Sequence, residues 1–348
     1  MGDTAPIRAE ERFDEPGVAS YLRDHLPDLC GTAPITFEQF PGGKANLTYL
    51  ARAGDVEVVL RRPPLGPVAP GAHDMAREYR VLSVLYQVYP AAPRAHHLCQ
   101  DPSVMGAPFV VMERRVGHVV REEWPVGLDA GNDFRRAVAE NLVDALADLH
   151  MVDHGAIGLT SLGRPDGFVA RQVGGWKDRW ERARHEEVSA MDRLAARLGA
   201  SVPAPQRAVL LHNDFKLDNT MLADDGAIVA VFDWDMATTG DPLVDLGTML
   251  AYWGGGDSVS AFAAADSVVL GDVMGVAEIT ARYAARTGFD VSGADWYRAL
   301  ALFRIAVICQ QIFIRYLRGQ TTDQRFAGLG AMVPPMAEAA LGLLSSGE

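Results

Sequence analysis

Two neighbouring stretches decide the reading of this chain: LHNDFKLDN, residues 211–219, and FDWDMATTGDPLVDLG, residues 232–247. Each leaves a short apolar run, AVLLH at 208–212 and AIVAVFD at 227–233, and TMLADDG between them supplies a strand end and a tight turn. Polar residues are therefore dense where strands end. Asp214 and Asn219 stand five residues apart, and Asp233 follows fourteen residues after Asn219. A carboxylate and a carboxamide at that spacing can converge with a third oxygen donor only if the first two lie on a loop. Phosphoryl transfer asks for such a set. A base must accept or orient the proton of the acceptor hydroxyl, and oxygen ligands must hold Mg²⁺ against the nucleotide phosphates while negative charge redistributes. Asp214 suits the first task, and Asn219 and Asp233 suit the second.

Upstream, the strand-forming runs ITFEQF, LTYLARA and VEVVLRR fall between residues 35 and 62, separated by the Gly-rich PGGKAN and a Gly54-Asp55 turn. This predicts a small antiparallel sheet. After PPLGPVAPG, residues 72–88 carry Tyr79, Leu82, Leu85 and Tyr86 at helical spacing, and PFVVMERRVG at 108–117 reads as a further strand running into a linker. Beyond about residue 118 the pattern turns helical, with Phe134, Val138, Leu142, Leu146 and Leu149 marking a long amphipathic helix. The expectation is a small sheet-plus-helix domain, a connector and a larger helical domain.

The 348 residues allow roughly two domains, and 49% hydrophobic with 22% charged residues is an ordinary globular composition. A formal charge of −13 opposes non-specific adhesion to nucleic acid or to an anionic membrane, so neither is expected as a partner. Cys30, Cys99 and Cys309 are too few and too scattered for a disulfide framework, and MGDTAPIRAEERF has no apolar signal stretch, which together point to a cytoplasmic protein. Residues 299–317 are apolar but carry Arg304, Gln310, Gln311 and Arg315, the pattern of a buried or amphipathic helix. Oligomeric state is not encoded legibly.

With these motifs on the page, HNDFKLDN resembles the catalytic loop of protein kinases and, more closely, of the aminoglycoside phosphotransferase and choline kinase-like superfamily. FDWDMATTGDPLVDLG is similar to that superfamily's metal-binding segment with its GDP-x-x-DL tail, and PGGKANLTYL, VVLRRPP, AREYRVL and FVVMERRVG occur in the family's order. Together they most resemble the branch associated with acyl-CoA dehydrogenases. The resemblance implies an α+β, protein-kinase-like two-lobed fold: an antiparallel-sheet nucleotide lobe over residues 1–113, a hinge at 114–117 and a helical lobe over 118–348. It implies ATP, or another nucleoside triphosphate, with Mg²⁺, and a small-molecule hydroxyl as acceptor, of a hydroxyacyl kind or else an aminoglycoside or other antibiotic. Gly42, Gly43, Lys44 and Asn46 fall at its nucleotide loop, Arg61 at the phosphate-binding cation paired with Glu78, and Met112, Glu113 and Arg115 at the adenine hinge. Arg62 competes with Arg61 for that role. Lys216 matches a cation that neutralises the transferring phosphoryl group. Arg171 and Asp235 fall near the acceptor. Asn213 stands where the family often has glycine, and Asp235 where it usually has Glu.

Plainer roles stand beside several of these. His212 reads as a loop brace, Asp241 and Asp245 as capping or bracing carboxylates, Trp176 and Trp180 as packing residues, and HHLC at 96–99 as a surface loop without a metal-ligand partner pair. Two rivals come from other classes: a nucleotide-binding pseudokinase module, and a metal-dependent hydrolase built on His212, Asp214, Asp233 and Asp235.

Overall fold

Gly54 and Asp55 separate two alternating runs, and in the computed structural model of the protein the chain turns there into a hairpin, with Gly54 at a φ of 61° that favours glycine. Residues 3–41, 46–65, 73–121, 124–253, 270, 273–321 and 323–345 are described. The chain divides into two units, one of residues 1–117, 157–159 and 229–237, the other of 118–156, 160–228 and 238–348. Residues 157–159 and 229–237 thus group with the sheet unit, although the sequence reading assigned all of 118–348 to the helical lobe.

In the first unit, α1 (Glu15–His25) and α2 (Pro27–Cys30) precede the strands β1 (Ile35–Gln39), β2 (Leu47–Ala53) and β3 (Val56–Arg62). α3 (Met75–Leu85), β4 (Ala95–Cys99), α4 (Pro102–Met105) and β5 (Phe109–Glu113) complete it. The five strands form one antiparallel sheet in the order β1-β2-β3-β5-β4. Alternate residues point to opposite faces. Tyr49, Ala51, Val58, Leu60, Phe109 and Val111 share a core with Val18 and Leu22 of α1. Arg61 falls on the other face.

The HHLC run is not the surface loop expected of it. Residues 96–99 lie in the edge strand β4, whose Ala95 and Cys99 are buried and whose His97 Nε2 is 2.9 Å from the Tyr21 hydroxyl of α1. A period-two pattern was hidden there by paired histidines and by a register shift between Ala95 and His97. Among the described residues no group of three or more His, Cys, Asp or Glu side chains could hold a metal ion.

The second unit opens with α5 (Asn132–Met151), α6 (Phe168–Ala183) and α7 (Ser189–Ala200), followed by β6 (Val209–Leu211) and β7 (Thr220–Leu222). β8 (Ile228–Val231) leads into the 232–237 turn of the first unit, and β9 (Thr238–Gly240) returns to pair antiparallel with β6. α8 (Leu243–Tyr252), α9 (Val276–Thr287), α10 (Ala294–Leu317) and α11 (Leu329–Ser345) follow. By length and composition two helical stretches could cross a bilayer, Ala294–Leu317 and Gln324–Ser345. Over half of the apolar window of the first, 56%, is buried inside the protein, which is how a core helix passes the same test. The second carries Pro334 and Pro335 in its interior.

α8 is buried at every residue from Leu243 to Ala251, and apart from Asp245 and Thr248 none of these carries a polar side chain. It crosses α10 at Gly247, where a Cβ would lie 2.5 Å from the carbonyl carbon of Tyr297. Gly247→Ala is therefore expected to destabilise the fold by about 1–3 kcal/mol through overpacking. Urea unfolding followed by circular dichroism checks this, and an unchanged midpoint would mean that the crossing tolerates a methyl group.

Candidate active site

In the second unit β6 ends at Leu211, and the next two residues are fixed from outside the loop. Asp245, fully buried in the first turn of α8, accepts the N–H of His212 at 2.6 Å and of Asn213 at 2.7 Å. Burial opposes its charge, yet the His150 hydrogen bond, the His150 and His212 rings and the His212 amide outweigh burial and hold the carboxyl below its usual range. Asn213 adopts φ 69°. That left-handed conformation suits glycine best and asparagine next, which accounts for the departure from the family's glycine. Asp241 Oδ1 accepts the Leu243 N–H at 2.9 Å at the start of α8, the capping role read from the sequence.

The loop then closes on itself. The Asn219 carboxamide donates to the Asp214 carbonyl at 2.9 Å and to Asp214 Oδ2 at 3.0 Å, across the 3₁₀ turn Leu217–Asn219. Lys216 Nζ lies 3.6 Å from Asp214 Oδ2, 3.5 Å from Asp218 Oδ2 and 4.9 Å from the centroid of the Tyr252 ring. Asp214, Lys216 and Asn219 are thus held together, with Phe215 and Leu217 buried beneath as anchors. With its nitrogen committed to Asp214, the Asn219 carboxamide has its oxygen left as the atom able to hold a cation. His212 is completely buried, and its Nδ1 accepts the Asp214 N–H at 3.3 Å. It braces the loop.

The first unit carries a second polar cluster, centred on Arg61. The guanidinium contacts Glu78 Oε1 at 3.1 Å through Nη1 and Asp233 Oδ1 through Nη2. The Asn46 amide, in the orientation its neighbours dictate, accepts from Arg61 Nε at 3.2 Å and donates to His73 Nδ1 at 2.9 Å. His73 lies 3.8 Å from Asp235 Oδ2. Burial lowers the His73 pKa, so this ring adds no charge to the cluster at neutral pH. For Arg61, burial works against the cation, but Glu78, Asp233 and Asp235 outweigh it and raise its pKa. The Glu78 carboxyl is raised to about 7, chiefly by burial, with Arg61 and the Trp234 backbone N–H opposing the rise and Asp233 and Asp235 adding to it. Three carboxylates thus act on one arginine, which contacts Glu78 and Asp233 directly. Among the described residues these side chains form no three-ligand metal group, but carboxylate oxygens are the donor type a hard cation takes, and Asp233, at φ 70° on the turn after β8, is the most accessible of them.

Strand alternation separates the two candidate arginines. Arg62 points to the core face, where its guanidinium donates to the carbonyls of Met105 and Glu11 and to the Tyr49 hydroxyl, over the rings of Phe13 and Tyr49. Arg61 is the one that meets Glu78. Met112 is buried in β5; Glu113 Oε2 accepts the Arg94 N–H at 3.0 Å, and Arg115 donates to the carbonyls of Pro90 and Ala92. Those two side chains brace the 90–94 segment. Gly42, Gly43 and Lys44 lie outside the described residues.

The Arg171 guanidinium on α6 donates to the backbone carbonyls of Arg164 and Asp166. Trp176 and Trp180 of the same helix are buried, as packing residues are. Two of the hollows in this unit carry polar side chains. One is lined by Leu142, Lys216, Met249, Tyr252 and Trp253, the other by Gln172, Trp176, Thr248, Tyr297 and Arg304, whose guanidinium lies 5.5 Å from the Trp176 ring centroid. Sequence reasoning missed His73, Tyr252 and Arg304. None sits in a motif, and only the packing of α8, α10 and the loop before α3 gives them neighbours.

The phosphotransferase enzyme family profile (APH) matches residues 36–285, most of the chain and both polar clusters. This chain belongs to that family. It is 32% identical over 343 residues to mouse acyl-CoA dehydrogenase family member 10, a match covering 97% of this chain and 32% of that protein. The chain therefore spans about a third of the length of that relative. Among solved structures, the aminoglycoside phosphotransferase-like protein of Ralstonia eutropha JMP134 is similar with a TM-score of 0.79 at 28% identity, over 96% of this chain and 99% of that one. A thermostable aminoglycoside phosphotransferase APH(4)-Ia variant, solved with ADP and hygromycin B, shares the fold at a TM-score of 0.59 and 15% identity, over 94% and 98% of the two chains. The fold is that of the kinase-like phosphotransferases.

Proposed function

We propose that this phosphotransferase moves the γ-phosphoryl group of ATP, or of another nucleoside triphosphate, to a hydroxyl of a small molecule. The observation that carries the reading is the 212–219 loop, in which a buried carboxylate pins the backbone and Asp214, Lys216 and Asn219 are tied side by side. In this reading Asp214 accepts or orients the proton of the acceptor hydroxyl, and Lys216 offsets charge on the transferring group. Arg61, fixed by Glu78, contacts the nucleotide phosphates, and backbone groups of residues 112–116 face the adenine edge. Asn219 and Asp233 would supply oxygens to Mg²⁺, which would offset the negative charge of the nucleotide phosphates. The hydrolase alternative finds no support in His212, whose ring is spent on the loop. The pseudokinase alternative finds none in an intact Asp214, Asn219 and Asp233 set.

For the acceptor we favour a hydroxyacyl thioester or a related anionic metabolite. Matching over almost the whole chain to acyl-CoA dehydrogenase family members supports this, as does Arg304 beside the Trp176 ring, a cation better suited to an anionic acceptor than to a polycationic aminoglycoside. Three separate buried thiols suit a cytoplasmic setting. ADP release measured against a panel of hydroxyacyl thioesters and aminoglycosides tests the assignment: acceptor-dependent turnover with the former is expected, and turnover with aminoglycosides alone would overturn it. Arg304→Ala should raise the acceptor KM by about tenfold and leave the nucleotide KM unchanged, the loss of one charged hydrogen bond. An unaltered acceptor KM would remove Arg304 from the binding surface.

A further inference from the structure

Behind Asp245 lies a buried chain of three polar residues from three helices, none of which touches the reacting groups. The Tyr283 hydroxyl of α9 is 2.6 Å from Nδ1 of His150 on α5, and His150 Nε2 is 3.3 Å from Asp245 Oδ2 on α8. Tyr283 and Asp245 are wholly buried and His150 nearly so. The rings of His150 and Tyr283 stand edge-on at 85°, so their contact runs through the ring nitrogen and the hydroxyl.

For a neutral imidazole, one arrangement of protons satisfies all three groups. Asp245 is ionised and can only accept, so the proton facing it belongs to His150 Nε2. A neutral imidazole then has its lone pair at Nδ1, where it accepts the Tyr283 O–H. Tyr283 thus selects the tautomer of His150, and that tautomer directs a donor at the same carboxylate oxygen that receives the His212 N–H. Without the phenol, the other tautomer would set a lone pair against Asp245.

We propose that His150 and Tyr283 are positioning residues for phosphoryl transfer. They hold Asp245 in the charge state and orientation that clamp His212 and Asn213, and so fix the left-handed turn that aims Asp214. The proposal rests on the reading of Asp214 as the base. Its plain alternative is a brace that merely joins α5, α8 and α9, which would alter stability and leave turnover untouched.

Tyr283→Phe deletes one hydroxyl and keeps the ring. It should lower kcat by about three- to tenfold with the nucleotide KM within about twofold of wild type, and speed hydrogen exchange at the His212 and Asn213 amides by a similar factor. His150→Gln, which keeps a donor near the Nε2 position, should retain several-fold more kcat than His150→Leu at comparable thermal stability. Wild-type kcat and exchange in Tyr283→Phe, or equal kcat in His150→Gln and His150→Leu, would overturn the proposal. If the wild-type protein phosphorylates no acceptor, the phosphotransferase reading fails on its own; faster exchange at residues 212 and 213 in Tyr283→Phe still supports the clamp, and unchanged exchange overturns it.

Discussion

Asp214→Asn is expected to lower kcat by about 10²–10⁴-fold, the usual contribution of a positioned general base, while nucleotide affinity stays within about twofold. The substitution is close to isosteric. Asn219 can still donate to the retained carboxamide oxygen, and the bond from the Asn219 carboxamide to the backbone carbonyl of residue 214 does not depend on that residue's side chain. The loop therefore keeps its shape, and the effect reads the missing carboxylate alone. Lys216 loses one of its two carboxylate neighbours but retains Asp218 and the Tyr252 ring, so it stays in place. Steady-state kinetics with a nucleotide titration checks both halves, and turnover at the wild-type rate would exclude Asp214 as the base.

Asp233→Asn should abolish the Mg²⁺-dependent part of nucleotide binding, raising Kd in the presence of the metal by about 100-fold and changing it little in EDTA. The backbone at this position has a φ of 70°, which asparagine accepts as readily as aspartate, so a folding defect is not expected. The charge does matter. Arg61 loses one of its carboxylate contacts but keeps Glu78 and Asn46, and Glu78, now with one anion fewer nearby, moves back down toward the ordinary carboxylate range. Calorimetry with and without Mg²⁺ separates the contributions. An undiminished enhancement by the metal would show that Asp233 is not a ligand.

Much of this architecture is legible before any coordinates, for identifiable reasons. The strands β2 and β3 alternate cleanly around a Gly-Asp turn, and α5 repeats apolar residues at helical spacing, so local sequence and tertiary burial agree. β4 does not declare itself, because consecutive histidines and a register shift break its alternation. The 212–219 loop is readable through residue chemistry alone, since few other uses put Asp, Lys and Asn at those intervals after a strand. What holds the loop is not. Asp245 looks like any carboxylate near a helix start, and its grip on His212 and Asn213 arises only when α8 is packed against the end of β6. Arg61 and Arg62 are adjacent and chemically identical, and only the parity of the strand tells which meets Glu78 and which is sealed beneath the sheet. The Arg304 and Trp176 pair joins residues over a hundred positions apart, beyond the reach of any local pattern.

Phosphorus NMR of the protein incubated with ATP, Mg²⁺ and a hydroxyacyl thioester follows the γ-phosphoryl group itself. A new phosphoester resonance growing in step with ADP, and absent with Asp214→Asn, is the predicted result. Release of inorganic phosphate alone, at the same rate with and without the acceptor, would contradict the account.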